Sequence, residues 1–343
     1  MKDPQKPKRP IDVKRDSAGS FTLDEPDGKI EQMLVIDDAM IIVSTKGVHR
    51  SLFADQVDPE RIDFNLPQMI QQPIIGYGSE THFIRQTLEM ARELFDTTHL
   101  GQEFDKKAAL SLTLKAAYEF AAASDIFSEF KSDQVTGIEK LELAIKGSSL
   151  SLPTVKNLPS RVASYLNHLR AACLALVGIA QIFYPKVKRN DGWRVAFDKG
   201  IEKFLIDNEQ FRGTAAFLCE YVEMMSNMRN AFEHQDKSKH AIVTDFRAIP
   251  GGGISKPRLV ITFKGKKIVD SDIDYFMQIF LEKSGEVFED MCALLCDANT
   301  VPFGPIETRV VTTQAPDSVG PRQYKYVSNF KDGFGPPPSK TES

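Results

Sequence analysis

Met228-Arg229-Asn230-Ala231-Phe232-Glu233-His234 closes the stretch on which the reading of this chain turns. Over 208–234, Phe211, Ala215, Leu218, Val222, Met225 and Phe232 recur mainly at steps of three, four and seven. That spacing predicts one long amphipathic helix with a single buried face. Arg229 follows Met225 by four and precedes Phe232 by three, so it falls at the edge of that face. A charge there needs a partner. In an unbroken helix Arg229 and His234 would stand roughly 140° apart at about 100° per residue. They meet only if the helix ends or bends between them, or if two copies face each other.

Outward from this helix, further stripes of the same period appear. Phe83, Leu88, Ala91, Leu94 and Phe95 predict a helix that Ser79 caps and that runs to about His99. Leu110, Leu114, Ala117 and Ala121 mark a second over about 103–131, and 137–150 gives only weak signals. Asn157-Leu158-Pro159-Ser160 opens a third, which Pro185 stops; 193–206 reads as a short one, and Asp270-Ser271-Asp272 caps the last, to about Ala298. The expected fold class is therefore mainly α: an antiparallel helical bundle over 79–300. A small β-hairpin, 241–263, is expected as an insertion after the motif helix, because two strand-like runs flank Pro250-Gly251-Gly252-Gly253. A short N-terminal hairpin is expected within 29–78, where Asp37-Asp38 separates two apolar runs; a proline-broken loop with Pro59, Pro67 and Pro73 follows, ending in a turn at Gly76-Tyr77-Gly78. Residues 1–28 read as a disordered basic tail and 301–343 as an irregular, strand-bearing tail.

Composition narrows the classes. With 42% hydrophobic and 26% charged residues the chain is globular, and a net charge of −4 argues against a generally basic nucleic-acid coat. Cys173, Cys219, Cys292 and Cys296 lie in apolar helical patterns, which predicts reduced thiols in a cytoplasmic protein, and no zinc-finger spacing accompanies them. The longest apolar run, 171–183, is too short to cross a bilayer, so no membrane role is expected. Phosphate-binding glycine loops, metal-ligating helix pairs and serine nucleophile elbows are absent from the sequence, so no metal or cofactor is expected. His168, with leucines on either side, reads as a packed or surface histidine.

The chemistry available at the motif is specific. An arginine fork binds phosphate bidentately and stays charged. A histidine takes or gives a proton near neutrality. The two suffice to cleave RNA without a metal, with histidine serving the 2′-hydroxyl or the leaving oxygen and arginine stabilising the transition-state charge. Asn230 is placed to orient either group. The structural alternative is that Arg229 pairs with a carboxylate, Asn230 caps the helix end and His234 sits in solvent. Arg247, Lys256, Arg258, Lys264, Lys266 and Lys267 fall in a window without an acidic residue. That run reads either as a phosphate-attracting patch for RNA or as edge-strand protection.

Arg229-Asn230-x-x-x-His234 at the end of a long amphipathic helix resembles the signature of the HEPN superfamily (higher eukaryotes and prokaryotes nucleotide-binding). The resemblance implies an up-and-down helical fold and a metal-independent endoribonuclease site with Arg229, Asn230 and His234 as catalytic residues. It also implies that two motifs meet across a homodimer cleft, that RNA is the partner, and that the protein is a toxin or anti-phage defence effector with an antitoxin or other regulatory partner. A non-catalytic scaffold binding nucleotide, RNA or protein is the alternative. The longer arginine-to-tyrosine spacing of toxins paired with small nucleotidyltransferases is not present in this segment.

Overall fold

The computed structural model describes residues 8–17, 28–144, 150–185, 209–251, 253–312 and 323–330. Among these, 51% are helical and 24% are in strands, arranged in four antiparallel sheets. The mainly α expectation is thereby corrected: the protein is mixed α/β. The chain divides into two compact units, Met1–Arg85 and Gln86–Ser343. The expected helix over 193–206 lies outside the described residues.

The first unit is built on a four-stranded antiparallel meander, β1 (Ile30–Ile36), β2 (Ala39–Ser44), β3 (Val48–Phe53) and β4 (Met69–Ile75). Asp37 and Asp38 both take positive φ, 49° and 64°, as a two-residue turn matched to strand twist requires. Residue types alone had extended this region only as far as one hairpin. Pro73 marks the reason: a proline in an apolar run argues against a strand, yet β4 is the last strand in the order, where a missing N–H is tolerated. Gly78 is required by close approach, because a Cβ there would stand 2.2 Å from the Ser44 carbonyl oxygen.

Helix α1 (Pro10–Asp16) replaces part of the expected disordered tail. Its apolar anchor is Ile11, and charge supplies the rest. The buried Arg15 guanidinium lies 3.2 Å from Asp58 and 3.5 Å from Asp55, while Arg61 reaches back to Asp16 at 2.8 Å and Asp55 at 2.7 Å. The pairs that hold α1, Arg15 with Asp55 and Asp58 and Arg61 with Asp16, are forty or more residues apart in sequence, so composition does not reveal them. Helix α2 (Ala54–Val57) carries Asp55.

Beyond α3 (His82–Ile84) a π-helical turn over Arg85–Glu89 leads into α4 (Met90–Leu94), and Asp96 caps α5 (Thr97–Leu100) through the Thr98 amide at 2.9 Å. The expected single helix to His99 is thus broken at Phe95, and its N-cap position is taken by Thr81, while the Ser79 backbone N–H donates to the Ser44 carbonyl.

Four long helices form the core of the second unit: α6 (Lys106–Ala144), α7 (Leu158–Phe183), α8 (Glu209–Glu233) and α9 (Ile273–Ala298). Helix α6 runs well past its expected end, through Gly137. That glycine is tolerated because the Phe246 ring packs over it, where a Cβ would come to 3.1 Å. Phe120 meets Phe288 edge-on at 6.1 Å, Tyr165 meets Phe276 at 6.4 Å, and the Tyr165 hydroxyl donates to the Met277 carbonyl. Among the described residues one helix, α7, is long and apolar enough to cross a membrane by length and composition, since it begins well before the apolar run at 171–183. Half of its most apolar window is buried, with Tyr165, Leu169, Leu176 and Ile179 among the buried residues.

The hairpin expected over 241–263 is part of a three-stranded sheet ordered β5 (His240–Thr244), β8 (Arg258–Phe263), β9 (Lys266–Asp272), with a separate ribbon of β6 (Arg247–Ile249) and β7 (Gly253–Ser255) between β5 and β8 in the chain. Asp270-Ser271-Asp272 ends β9, and Asp272 is the N-cap residue of α9, as expected, though without a side-chain capping bond. Leu259, Ile261 and Val269 bury the inner face of this sheet. Strands β10 (Ile306–Thr312) and β11 (Tyr324–Phe330) pair with each other and not with the sheet after the motif. Arg309 fixes them to α9 through a bidentate contact with Asp297, at 2.9 and 2.8 Å.

Two outcomes follow for the second unit. Phe120→Ala empties a site closed by Phe288 and should destabilise the protein by about 3–5 kcal/mol in urea unfolding. All four cysteines are buried and none forms a disulfide. Burial pushes the Cys173 thiol up to about 12 and raises those of Cys292 and Cys296 as well. Since the thiolate is the reactive form, a thiol reagent at pH 8 should leave these three groups unlabelled in the native protein and modify them once guanidinium unfolds it.

Candidate functional site

Helix α8 buries Ala215, Leu218, Cys219, Val222, Met225, Met228 and Ala231 on one face. The spacing that places these residues inside sets Arg229 at the border, where its side chain is 23% exposed. The helix ends at Glu233. His234 still donates its backbone N–H to the Asn230 carbonyl at 2.9 Å, so it closes the last turn from outside the helix, exposed to solvent. That i to i−4 bond keeps His234 on the helical path, and no hydrogen bond or ion pair brings its side chain to Arg229 within the described chain.

The Arg229 guanidinium is held through all three nitrogens. Nε donates to Asn167 Oδ1 of α7 at 3.3 Å, one terminal nitrogen donates to Asn230 Oδ1 at 3.3 Å, and the other pairs with the Glu233 carboxylate. Asn230 thus orients the arginine instead of capping the helix. A guanidinium carries five N–H groups; three are engaged and one on each terminal nitrogen is left.

Beyond His234 the chain turns at once. The Asp236 carboxylate accepts from the Ser238 hydroxyl and amide, both at 2.7 Å, and from the Lys239 amide at 3.0 Å. These bonds, the Ser238 side chain first, hold its pKa below the usual carboxylate range. The Ser238 carbonyl then accepts the Gly265 amide at 2.8 Å. Lys264 and Gly265 form the β8–β9 turn with φ of 52° and 72°. A two-residue turn with both φ positive suits a tight hairpin. One backbone hydrogen bond therefore ties the lysine-bearing turn to the loop that follows His234.

The basic window is divided by its tertiary surroundings. Arg258 pairs with Asp270 at 2.6 Å and Asp272 at 3.6 Å, Lys267 pairs with Asp270 at 2.6 Å, and Lys256 pairs with Asp274 at 3.6 Å. Antiparallel pairing of β9 on β8 sets Asp272 opposite Arg258 and Asp270 opposite Val260, which brings in acids that lie just past the window in sequence. Hydrogen bonds from Lys267 and Arg258 lower the Asp270 pKa. Arg247, Lys264 and Lys266 are exposed and have no carboxylate partner among the described residues; Arg247 belongs to the β6–β7 ribbon.

Two members of the site escape a reading of the motif alone. Glu233 stands four residues after Arg229, a spacing that pairs side chains on a helix, so a signal for it was present. Asn167 carries no such signal, because only the docking of α7 on α8 brings it to Arg229. One position on, His168 is half-buried and its Nδ1 lies 2.8 Å from Glu119 of α6. Among the described residues no group of three or more His, Cys, Asp or Glu side chains is arranged to hold a metal ion. Comparison with protein-family models, with curated proteins and with solved structures returns no match to this chain.

Proposed function

We propose that this protein is a metal-independent endoribonuclease of the HEPN type, with Arg229, Asn230 and His234 as its catalytic residues. The observation that carries the reading is the Arg229 guanidinium, anchored on three nitrogens with two donors left, at the helix end from which His234 emerges. Two donors on one guanidinium are what a bidentate phosphate contact needs. His234 would remove the proton from the 2′-hydroxyl or return one to the leaving 5′-oxygen. Arg229 would stabilise the charge that builds on the phosphorus-bound oxygens. Each subunit has one such motif, and in-line cleavage uses both an acid and a base, so the proposal includes a homodimer with two motifs facing one RNA strand. Lys264 and Lys266, tied to the loop after His234, would attract the RNA backbone. A cytoplasmic toxin or defence effector, restrained by an antitoxin or other regulatory partner, is the setting that suits such an activity.

A second reading, a non-catalytic RNA- or partner-binding scaffold, has two observations in its favour, the first being that His234 lies exposed to solvent with no hydrogen bond or ion pair to Arg229 within the described chain. The second is that Glu233 already neutralises Arg229 within the helix, as a purely structural pair would do.

Single-turnover cleavage of RNA in EDTA separates the two. Arg229→Ala and His234→Ala should each reduce the rate by about 10²–10⁴-fold, with unfolding free energies within about 1 kcal/mol of wild type because both side chains are partly or fully exposed. A substrate with 2′-deoxyribose at the cut site should resist cleavage. Loss of folding in Arg229→Ala, together with an unchanged His234→Ala, would establish the scaffold reading.

The divided basic window gives an independent outcome. Lys264→Ala combined with Lys266→Ala should weaken RNA binding and reduce the slope of log K against log salt by about 1–2. Lys267→Ala should change the slope less, because Asp270 already compensates its charge. Fluorescence anisotropy across a potassium chloride series reads both.

A further inference from the structure

Glu233 is poorly suited to stabilising its own helix. It is the last residue of α8, at the negative end of the helix dipole, where a carboxylate is disfavoured. In its pair with Arg229 the arginine precedes the acid, the weaker order for an i,i+4 pair. What Glu233 does achieve is to fix one edge of the Arg229 guanidinium. Asn167 fixes another from a different helix, and Asn230 a third. A guanidinium held at three points by groups on two helices has a fixed orientation, with one N–H left on each terminal nitrogen.

We infer that Glu233 and Asn167 are positioning residues that aim the Arg229 fork at a phosphodiester, and that Glu233 also sets the affinity for that phosphate by opposing its charge. This inference rests on the ribonuclease reading above. The two effects of Glu233 are separable by substitution. Glutamine keeps an oxygen acceptor for the arginine and removes the negative charge. Alanine removes both. A carboxylate beside the bound phosphate repels it, so losing the charge tightens binding whichever residue replaces it. Losing the acceptor lets the fork swing, and small misplacements of a reacting group are costly in rate.

The test pairs two measurements on the full-length protein: anisotropy with an RNA carrying 2′-deoxyribose at the cut site, and single-turnover cleavage of the all-ribose RNA. Glu233→Gln should bind about fivefold tighter than wild type and cleave within about threefold of it. Glu233→Ala should bind at least as tightly as wild type but cleave roughly 10²-fold more slowly. Asn167→Ala should also slow cleavage, and Asn167→Asp, which retains the acceptor, should restore most of it. A merely structural role would not produce tighter binding together with slower cleavage, nor rescue by glutamine. If Glu233→Ala and Asn167→Ala both cleave at the wild-type rate while Arg229→Ala and His234→Ala are inactive, the positioning role is wrong and the ribonuclease reading stands. If wild type and Arg229→Ala cleave alike, or neither cleaves, the ribonuclease reading itself fails.

Discussion

A guanidinium at the border of a packed helix face cannot be left without acceptors, because a partly desolvated charge without partners costs far more than the packing around it returns. Arg229 meets this constraint by drawing one acceptor from its own next residue, one from the next turn of α8 and one from α7. The contact to Asn167 makes the orientation of the arginine depend on how α7 docks against α8. That docking rests in turn on the aromatic core beneath it, where Tyr165 of α7 packs against Phe276 of α9 and Tyr221 of α8 bonds Ser284 of α9 at 2.9 Å. The site is therefore an edge of the helical core and not an appendage to it.

The sheet after the motif extends the same logic outward. Its inner face is buried through Leu259, Ile261 and Val269, and its β8–β9 turn is fastened to the post-motif loop by the Gly265–Ser238 hydrogen bond. Most of the charge on its strands is internally matched, with Arg258 and Lys267 sharing Asp270. Exposed ion pairs of this kind add little stability, but they cancel field at a distance. Among the described residues, the lysines near the motif without a carboxylate partner include Lys237, in the loop after His234, and Lys264 and Lys266. A small uncompensated positive patch in a chain of net charge −4 would direct a polyanion to one place instead of coating the surface.

The parts of this architecture that were legible in the sequence are those fixed by local spacing. The buried stripe of α8, the border position of Arg229 and the turn at Asp37-Asp38 all follow from residues within one or two turns of each other. What was not legible depends on partners distant in sequence. Helix α1 is held by Arg15 and Arg61 reaching acids more than forty residues away. Helix α6 continues through Gly137 because Phe246 packs there. Strand β4 accepts Pro73 because of where it lies in the sheet order. Each of these contributes helix or strand that periodicity alone assigns to tails and loops, and the four sheets together make the protein mixed α/β where a mainly α fold was expected. At the site the same division holds: Glu233 stands at a readable spacing from Arg229, whereas Asn167 does not.

The chemical identity of the ends left on cut RNA tests the role of Arg229 and His234 most directly. Attack by a 2′-hydroxyl, activated by histidine and completed without a metal, must leave a 2′,3′-cyclic phosphate on one fragment and a 5′-hydroxyl on the other. RNA incubated with the purified protein in EDTA should carry those ends, as read by mass spectrometry of the fragments. Fragments bearing 3′-hydroxyl and 5′-phosphate ends, formed only when a divalent cation is supplied, would contradict it.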